Sequence, residues 1–123
     1  MDFSNDSTTP IYIQIAEWIE NEILADGIQE MGKVYSQYQL AELFNINPAT
    51  AGKGLTILLE NEILYKKRGL GMFVQGGAKE LILAKRRDEK LSKLAKEIVQ
   101  EAKRLFVSDE ELIDLIKKVQ KEG

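Results

Sequence analysis

The sequence predicts a mainly α chain with one small β-hairpin, built as a compact N-terminal part followed by a two-helix tail. Three observations carry this. Apolar residues recur at helical spacing in several separate stretches. Two short strand-like runs flank a turn holding two glycines. After Gly77 there is no strand signal, and neither Gly nor Pro recurs before Gly123.

Taken in order, Thr9-Pro10 reads as a helix start, a capping hydroxyl followed by Pro at the first helical position. Tyr12, Ile15, Ala16, Ile19 and Ile23 form a stripe, so a first helix is expected over about 10–25, with Glu17, Glu20 and Glu22 mainly off it. Asp26-Gly27 ends it, with Gly27 suited to the left-handed position. A connector, 28–35, leads to Ser36 and Gln39, a capping box for a second helix reaching Phe44, with Leu40, Leu43 and Phe44 as its buried edge. Asn45-Ile46 is a short turn. Asn47-Pro48 then caps a third helix, expected to end at Glu60 or Asn61, with Ala51, Leu55, Leu58 and Leu59 inward.

Residues 63–67 and 72–75 read as strands around Arg68-Gly69-Leu70-Gly71. A helix, a helix-turn-helix and a basic-tipped hairpin in that order make a winged helix. Gly76-Gly77 reads as a linker. Beyond it, Leu91, Leu94, Ala95, Ile98, Ala102 and Leu105 form a stripe on a long helix, about 78–106. Ser108 with Glu111 caps a shorter helix, about 109–121, striped by Leu112, Leu115, Ile116 and Val119. Two such helices cannot enclose their own apolar faces, so a partner surface is required. The division expected is a winged-helix domain over 1–77 and a helical dimerisation tail over 78–123. The seam residues are Leu91, Leu94, Ile98, Leu105, Leu112, Leu115, Ile116 and Val119.

Composition narrows the function. The 123 residues contain no Cys and no His, which removes disulfides, thiol and imidazole catalysis and most transition-metal sites. No phosphate-cradling Gly-rich loop precedes a Lys-Ser or Lys-Thr pair. The acids Glu110, Glu111 and Asp114 crowd a helix start, where they complement the helix dipole. No enzyme, cofactor or metal site is expected. No apolar run is long enough for a membrane span, and MDFSNDSTTP lacks the features of a secretory signal. A cytoplasmic setting is therefore expected.

The net charge of −3 is unevenly spread: residues 1–30 carry −7, residues 31–75 carry +2 and residues 76–123 carry +2. The acidic pI near 5.1 argues against indiscriminate nucleic-acid binding, yet leaves room for a basic face in the middle segment. Candidate double-stranded DNA contacts follow from the winged-helix order. On the third helix these are Asn47, Ala49, Thr50 and Lys53, short or basic groups near the helix start that suit the major groove. At the start of the second helix they are Ser36, Gln37 and Tyr38, placed for a backbone phosphate. On the hairpin they are Lys67, Arg68, Gly69 and Gly71, with Arg68 suited to the minor groove. Adjacent Lys66 and Lys67 point to opposite faces of a strand, so one of them faces DNA. Gly52 and Gly54 lower helix propensity, which fits close approach either to DNA or to another helix. Lys85-Arg86-Arg87, followed by Asp88-Glu89, reads as a solvated helix face.

These segments together resemble the GntR family of bacterial transcription regulators. The resemblance rests on Pro10-Ile11-Tyr12-Ile13-Gln14-Ile15, Tyr35-Ser36, Gln39-Leu40-Ala41, Asn47-Pro48-Ala49-Thr50 and Gly69-Leu70-Gly71-Met72-Phe73-Val74, over about residues 9–75. The short helical tail resembles the YtrA-like branch. The resemblance implies a winged-helix DNA-binding domain, a homodimer and transcriptional control, usually repression. Tyr38, Pro48 and Gly52 stand where the family often has Arg or other polar residues, so contacts through those arginines do not carry over. Two other readings remain: a protein-interaction module docking a partner through its helical tail, and an enzyme accessory subunit without a DNA role. The sequence names no small-molecule effector.

Overall fold

The computed structural model describes residues 8–123. The N-terminal segment read for a secretory signal, with Asp2 and Asp6, lies almost wholly outside them. The elements are α1 (Ile11–Leu24), α2 (Gln37–Phe44), α3 (Pro48–Glu60), β1 (Leu64–Lys67), β2 (Gly71–Val74), α4 (Ala78–Arg86), a π-helical segment (Arg87–Leu91), α5 (Ser92–Arg104) and α6 (Asp109–Glu122). The predicted fold class, mainly α with a small hairpin wing, is the observed one. The chain divides into two compact units, the first ending at Leu83 and the second spanning Ala84–Gly123.

In the first unit, α1 opens with Pro10 as its capping position, one residue later than expected, and Gln14 Nε2 donates to the Thr9 carbonyl at 2.8 Å. Its residues Ile15, Ile19 and Ile23 are fully buried with Leu40 of α2 and Leu55 and Leu58 of α3. Trp18 meets Phe44 edge-on, with ring centroids 4.9 Å apart. Three expectations need correction. The left-handed residue after α1 is Asp26, φ 63°, rather than Gly27, because the Gly27 N–H must reach back to the Glu22 carbonyl at 2.8 Å to close the helix. Leu43 is 56% exposed, since α2 turns only its Leu40–Ala41 edge inward. Glu20 is 2% exposed rather than outward, because the arc of α1 covered by its neighbours extends past Ile19 and Ile23.

The Ser36 capping box forms as expected. Ser36 Oγ accepts from the Gln39 N–H at 3.1 Å, and Gln39 Oε1 accepts from the Ser36 N–H at 2.8 Å. Asn45 takes the left-handed conformation between α2 and α3, φ 54°, and Asn47 Oδ1 accepts from the Ala49 N–H at 2.8 Å. β1 and β2 pair antiparallel, with Leu64 opposite Val74 and Lys67 opposite Gly71. The connector backs this hairpin: the Met31 N–H donates to the Val74 carbonyl, the Val34 N–H donates to the Met72 carbonyl, and Lys33 bridges Phe73. The chain then returns to the core, where α4 buries Ala78 and Ile82. Lys79 fastens this return, its Nζ 2.8 Å from Asp26 Oδ1 and its N–H on Glu30 Oε1.

In the second unit the long helix expected over 78–106 is interrupted by the π-helical turn Arg87–Leu91, which fits one extra residue into a turn. α5 ends in a left-handed Phe106, φ 57°, with the Val107 N–H on the Ala102 carbonyl at 2.8 Å. Ser108 Oγ accepts from the Glu111 N–H at 3.2 Å and starts α6. Ala102 and Leu112 are this unit's buried apolar residues.

Candidate nucleic-acid interface

The helix-turn-helix is held together where α2 begins and α3 passes it. A Cβ on Gly52 would lie 2.9 Å from Gln37 Oε1, so the absence of a side chain lets the start of α2 close on α3. Gly54, one half-turn on, sits against α1: a Cβ there would be 2.8 Å from the Tyr12 carbonyl oxygen and 3.1 Å from Ile15 Cγ2. Both glycines serve helix packing. Gln37 is accordingly half-buried and acts as a spacer, while Ser36 and Tyr38 on either side of it are exposed.

Along α3, Asn47 and Ala49 are exposed and Thr50 is half-buried. Lys53 is exposed, with its Nζ 4.2 Å from the centre of the Tyr12 ring, a cation–π arrangement that steadies a flexible side chain. Thr56 turns its hydroxyl back to the Gly52 carbonyl at 3.0 Å. Ile57, one residue further on, is partly buried against the core.

The hairpin presents Arg68, Gly69 and Leu70 at an exposed tip. Gly69 and Gly71 have φ of 78° and 111°, which L-residues rarely adopt. The Leu70 N–H donates to the Lys67 carbonyl at 3.0 Å and closes the turn. The two wing lysines separate as strand geometry requires. Lys67 lies on the face of the stacked Tyr65 and Phe73, with its Nζ 4.7 Å from the Phe73 ring centre. Lys66 lies on the opposite face, that of Met72 and the core residues Leu64 and Val74. There it lines a cavity of about 390 Å³ shared with Ser36, Gln37, Tyr38 and Gly71.

The start of α2 and the base of the wing are thus brought together, whereas Arg68 stands apart at the tip. Lys33, which also lines that cavity, and Tyr12 are the residues that sequence reasoning passed over, and of the two wing lysines it is Lys66, not the candidate Lys67, that lines the cavity. A lone base in the acidic first third of the chain was the one signal for Lys33. The contact between Tyr12 and Lys53 had none.

In the tail, Leu91, Leu94, Ile98, Leu105, Leu115, Ile116 and Val119 are exposed, while Leu112 is buried. Val99, Phe106 and Ile113, outside the expected seam, are exposed as well, Phe106 at 95%. Leu91, Leu94, Ile98 and Ile116 line a groove of about 670 Å³ between α5 and α6. Among the described residues no group of acids is arranged to hold a metal ion, and no helix is long and apolar enough to cross a membrane.

No family model matches the chain. The HTH-type transcriptional repressor NagR of Bacillus subtilis (strain 168) is 32% identical over 74 residues, which is 60% of this chain and 30% of NagR. The chain thus spans about 30% of the length of the curated relatives it matches. Among solved structures, AraR(DBD) in complex with operator ORX1 is 26% identical with a TM-score of 0.55, covering 60% of this chain and 94% of that one. A transcriptional regulator from Bacteroides thetaiotaomicron assigned to the GntR family is 30% identical with a TM-score of 0.76, and the match covers 92% of this chain and 99% of that one. That likeness takes in the winged helix and reaches into the helices after it, so this chain belongs to the GntR family of transcriptional regulators, a non-enzymatic class.

Proposed function

We propose that the protein is a sequence-specific DNA-binding regulator of the YtrA-like branch, acting as a repressor on a palindromic operator as a homodimer. The observation that carries the reading is charge placement. In a chain with 20 acids and 17 bases, residues 31–41, 43–59 and 63–79 contain no Asp or Glu. These stretches hold the start of α2, nearly all of α3 and the whole wing.

In this reading the first turns of α3 enter the major groove, with Thr50 and Lys53 toward base edges and Asn47 and Ala49 beside them. Ser36, Tyr38 and Lys66 meet the sugar–phosphate backbone. Arg68, carried by Gly69 and Gly71, enters the minor groove, and Lys67 adds charge on the outer face of the wing. Leu91, Leu94, Ile98, Leu105, Leu115, Ile116 and Val119 meet a second copy. Their exposure supports this, since monomers rarely leave so much contiguous apolar surface to water. Binding to chromosomal DNA places the protein in the cytoplasm.

Selection of bound duplexes from a random pool tests the reading. It should yield two inverted half-sites centred about 10 bp apart, or a multiple of that. Leu94→Glu with Ile98→Glu should give a folded monomer with weakened operator affinity. Enrichment of a single asymmetric site, of RNA alone or of nothing overturns the reading, as does light scattering that shows a monomer at tens of micromolar.

A further inference from the structure

The apolar stripe of α1 leaves the core at its first turn. Ile15, Ala16 and Ile19 are buried, whereas Tyr12, at the open end, is half-buried. Gly54 lets this end lie close against α3, since a Cβ there would fall 2.8 Å from the Tyr12 carbonyl oxygen. Its neighbour in sequence, Lys53, is exposed and holds its Nζ 4.2 Å from the centre of the Tyr12 ring. The ammonium group is thus held by a ring face rather than by a carboxylate, and residues 43–59 contain no acid at all.

We propose that Tyr12 is a positioning residue that confines Lys53 to one base, a guanine, in each half-site. This rests on the reading of α3 as the helix that meets base edges and adds to it the residue that makes the reading selective. A lysine ammonium is a strongly hydrated point charge on a flexible four-carbon stem. Left free on α3, it would follow a nearby phosphate as readily as a base edge, and that contact carries no sequence information. A carboxylate partner would fix the stem but cancel the charge and repel DNA. The face of an aromatic ring attracts the cation through its quadrupole and leaves the charge whole. The ring covers one side of the ammonium, and of its three N–H donors those turned away from the ring stay available. They suit the adjacent O6 and N7 acceptors of guanine in the major groove. Tyr12 in this arrangement acts through Lys53, and Gly54 acts through Tyr12 by admitting it to the face of α3.

The test titrates the full-length chain with the duplex enriched from a random pool and with duplexes in which each G·C pair is changed in turn to A·T. The readout is the ratio of the two affinities, which cancels any loss of folded protein. Lys53→Ala should lower the ratio at one guanine of each half-site and so identify it. Tyr12→Leu should lower the ratio at that same guanine by about threefold to tenfold, the cost of ordering one freed long side chain. Tyr12→Phe keeps the ring face and should keep the parental ratio. Tyr12→Leu added to Lys53→Ala should lower the ratio no further. A second readout needs no DNA: the Lys53 ε-methylene protons should resonate upfield under the ring current in the parent and in Tyr12→Phe, and lose that shift in Tyr12→Leu. A Tyr12→Leu chain with the parental ratio overturns the positioning role alone, as does a further loss in the Lys53→Ala background or a Tyr12→Phe chain that falls as far as Tyr12→Leu. A parent that enriches no duplex, or Lys53→Ala that leaves every ratio unchanged, overturns the reading of α3 itself and the positioning role with it.

Discussion

The two units spend similar apolar sequence in opposite ways. In the first, Ile15, Ile19, Ile23, Leu40, Leu55, Leu58 and Ile63 from four parts of the chain close on one another, and Glu20 is the one charged residue buried among those described. In the second, α5 and α6 carry stripes as regular as that of α1, yet only Ala102 and Leu112 are buried. A helical stripe is a request for a partner surface, and whether the chain itself answers it depends on how many elements are at hand. The first unit has three helices, a hairpin and the start of α4 to wrap one core. The second has the end of α4, the π-helical segment running into α5, and α6 after a short turn, too few separate elements to enclose an interior. One region is thus finished by its own chain, and the other keeps its apolar stripes exposed.

Substitution of a buried leucine should separate the two regions most sharply. Leu58→Ala should destabilise the first unit by about 2–5 kcal/mol in denaturant unfolding. Leu94→Ala should change the stability of the isolated monomer by under about 0.5 kcal/mol while weakening self-association. Equal effects in dilute monomer would erase the contrast. Next in size, Gly54→Ala should cost about 1–3 kcal/mol, since the atom in its way is the Tyr12 backbone oxygen, which cannot move aside. Gly52→Ala should cost less, because the Gln37 amide can swing away. The same unfolding curves rank the pair.

At the surface of the first unit, Lys53→Ala should lower operator affinity by about 1–3 kcal/mol and relax base preference. Arg68→Ala should weaken many sequences alike and reduce the slope of log affinity against log salt by about one. Titrations over a salt series, repeated on A·T-rich and G·C-rich flanks, distinguish the two roles. Retention of parental affinity by both variants would remove the wing and α3 from the interface. The smallest effect expected is that of Ser36→Ala. Losing the cap of α2 should cost about 1 kcal/mol of stability, read as a modest fall in the unfolding midpoint.

Much of the fold was legible in the residues. Ser36 with Gln39, Asn47-Pro48 and Ser108 with Glu111 mark three helix starts through their own hydrogen bonds, which need nothing distant. The glycines of the wing turn mark the hairpin, because the turn demands positive φ. The apolar stripes give the inward face of each helix, since 3.6 residues per turn holds whatever lies opposite.

Those local rules determined the order, type and approximate ends of the elements, the winged-helix order and the open stripes of the tail. Only the tertiary structure decided what each face meets. It sent Lys66 rather than Lys67 toward the start of α2, brought Lys33 to the same cavity, set Tyr12 under Lys53, drew Glu20 into the interior and turned Gly52 and Gly54 toward neighbouring helices. The reason is physical. Periodicity and capping describe a segment about its own axis, whereas the neighbour across a face is chosen by packing among elements far apart in sequence, which no single segment encodes.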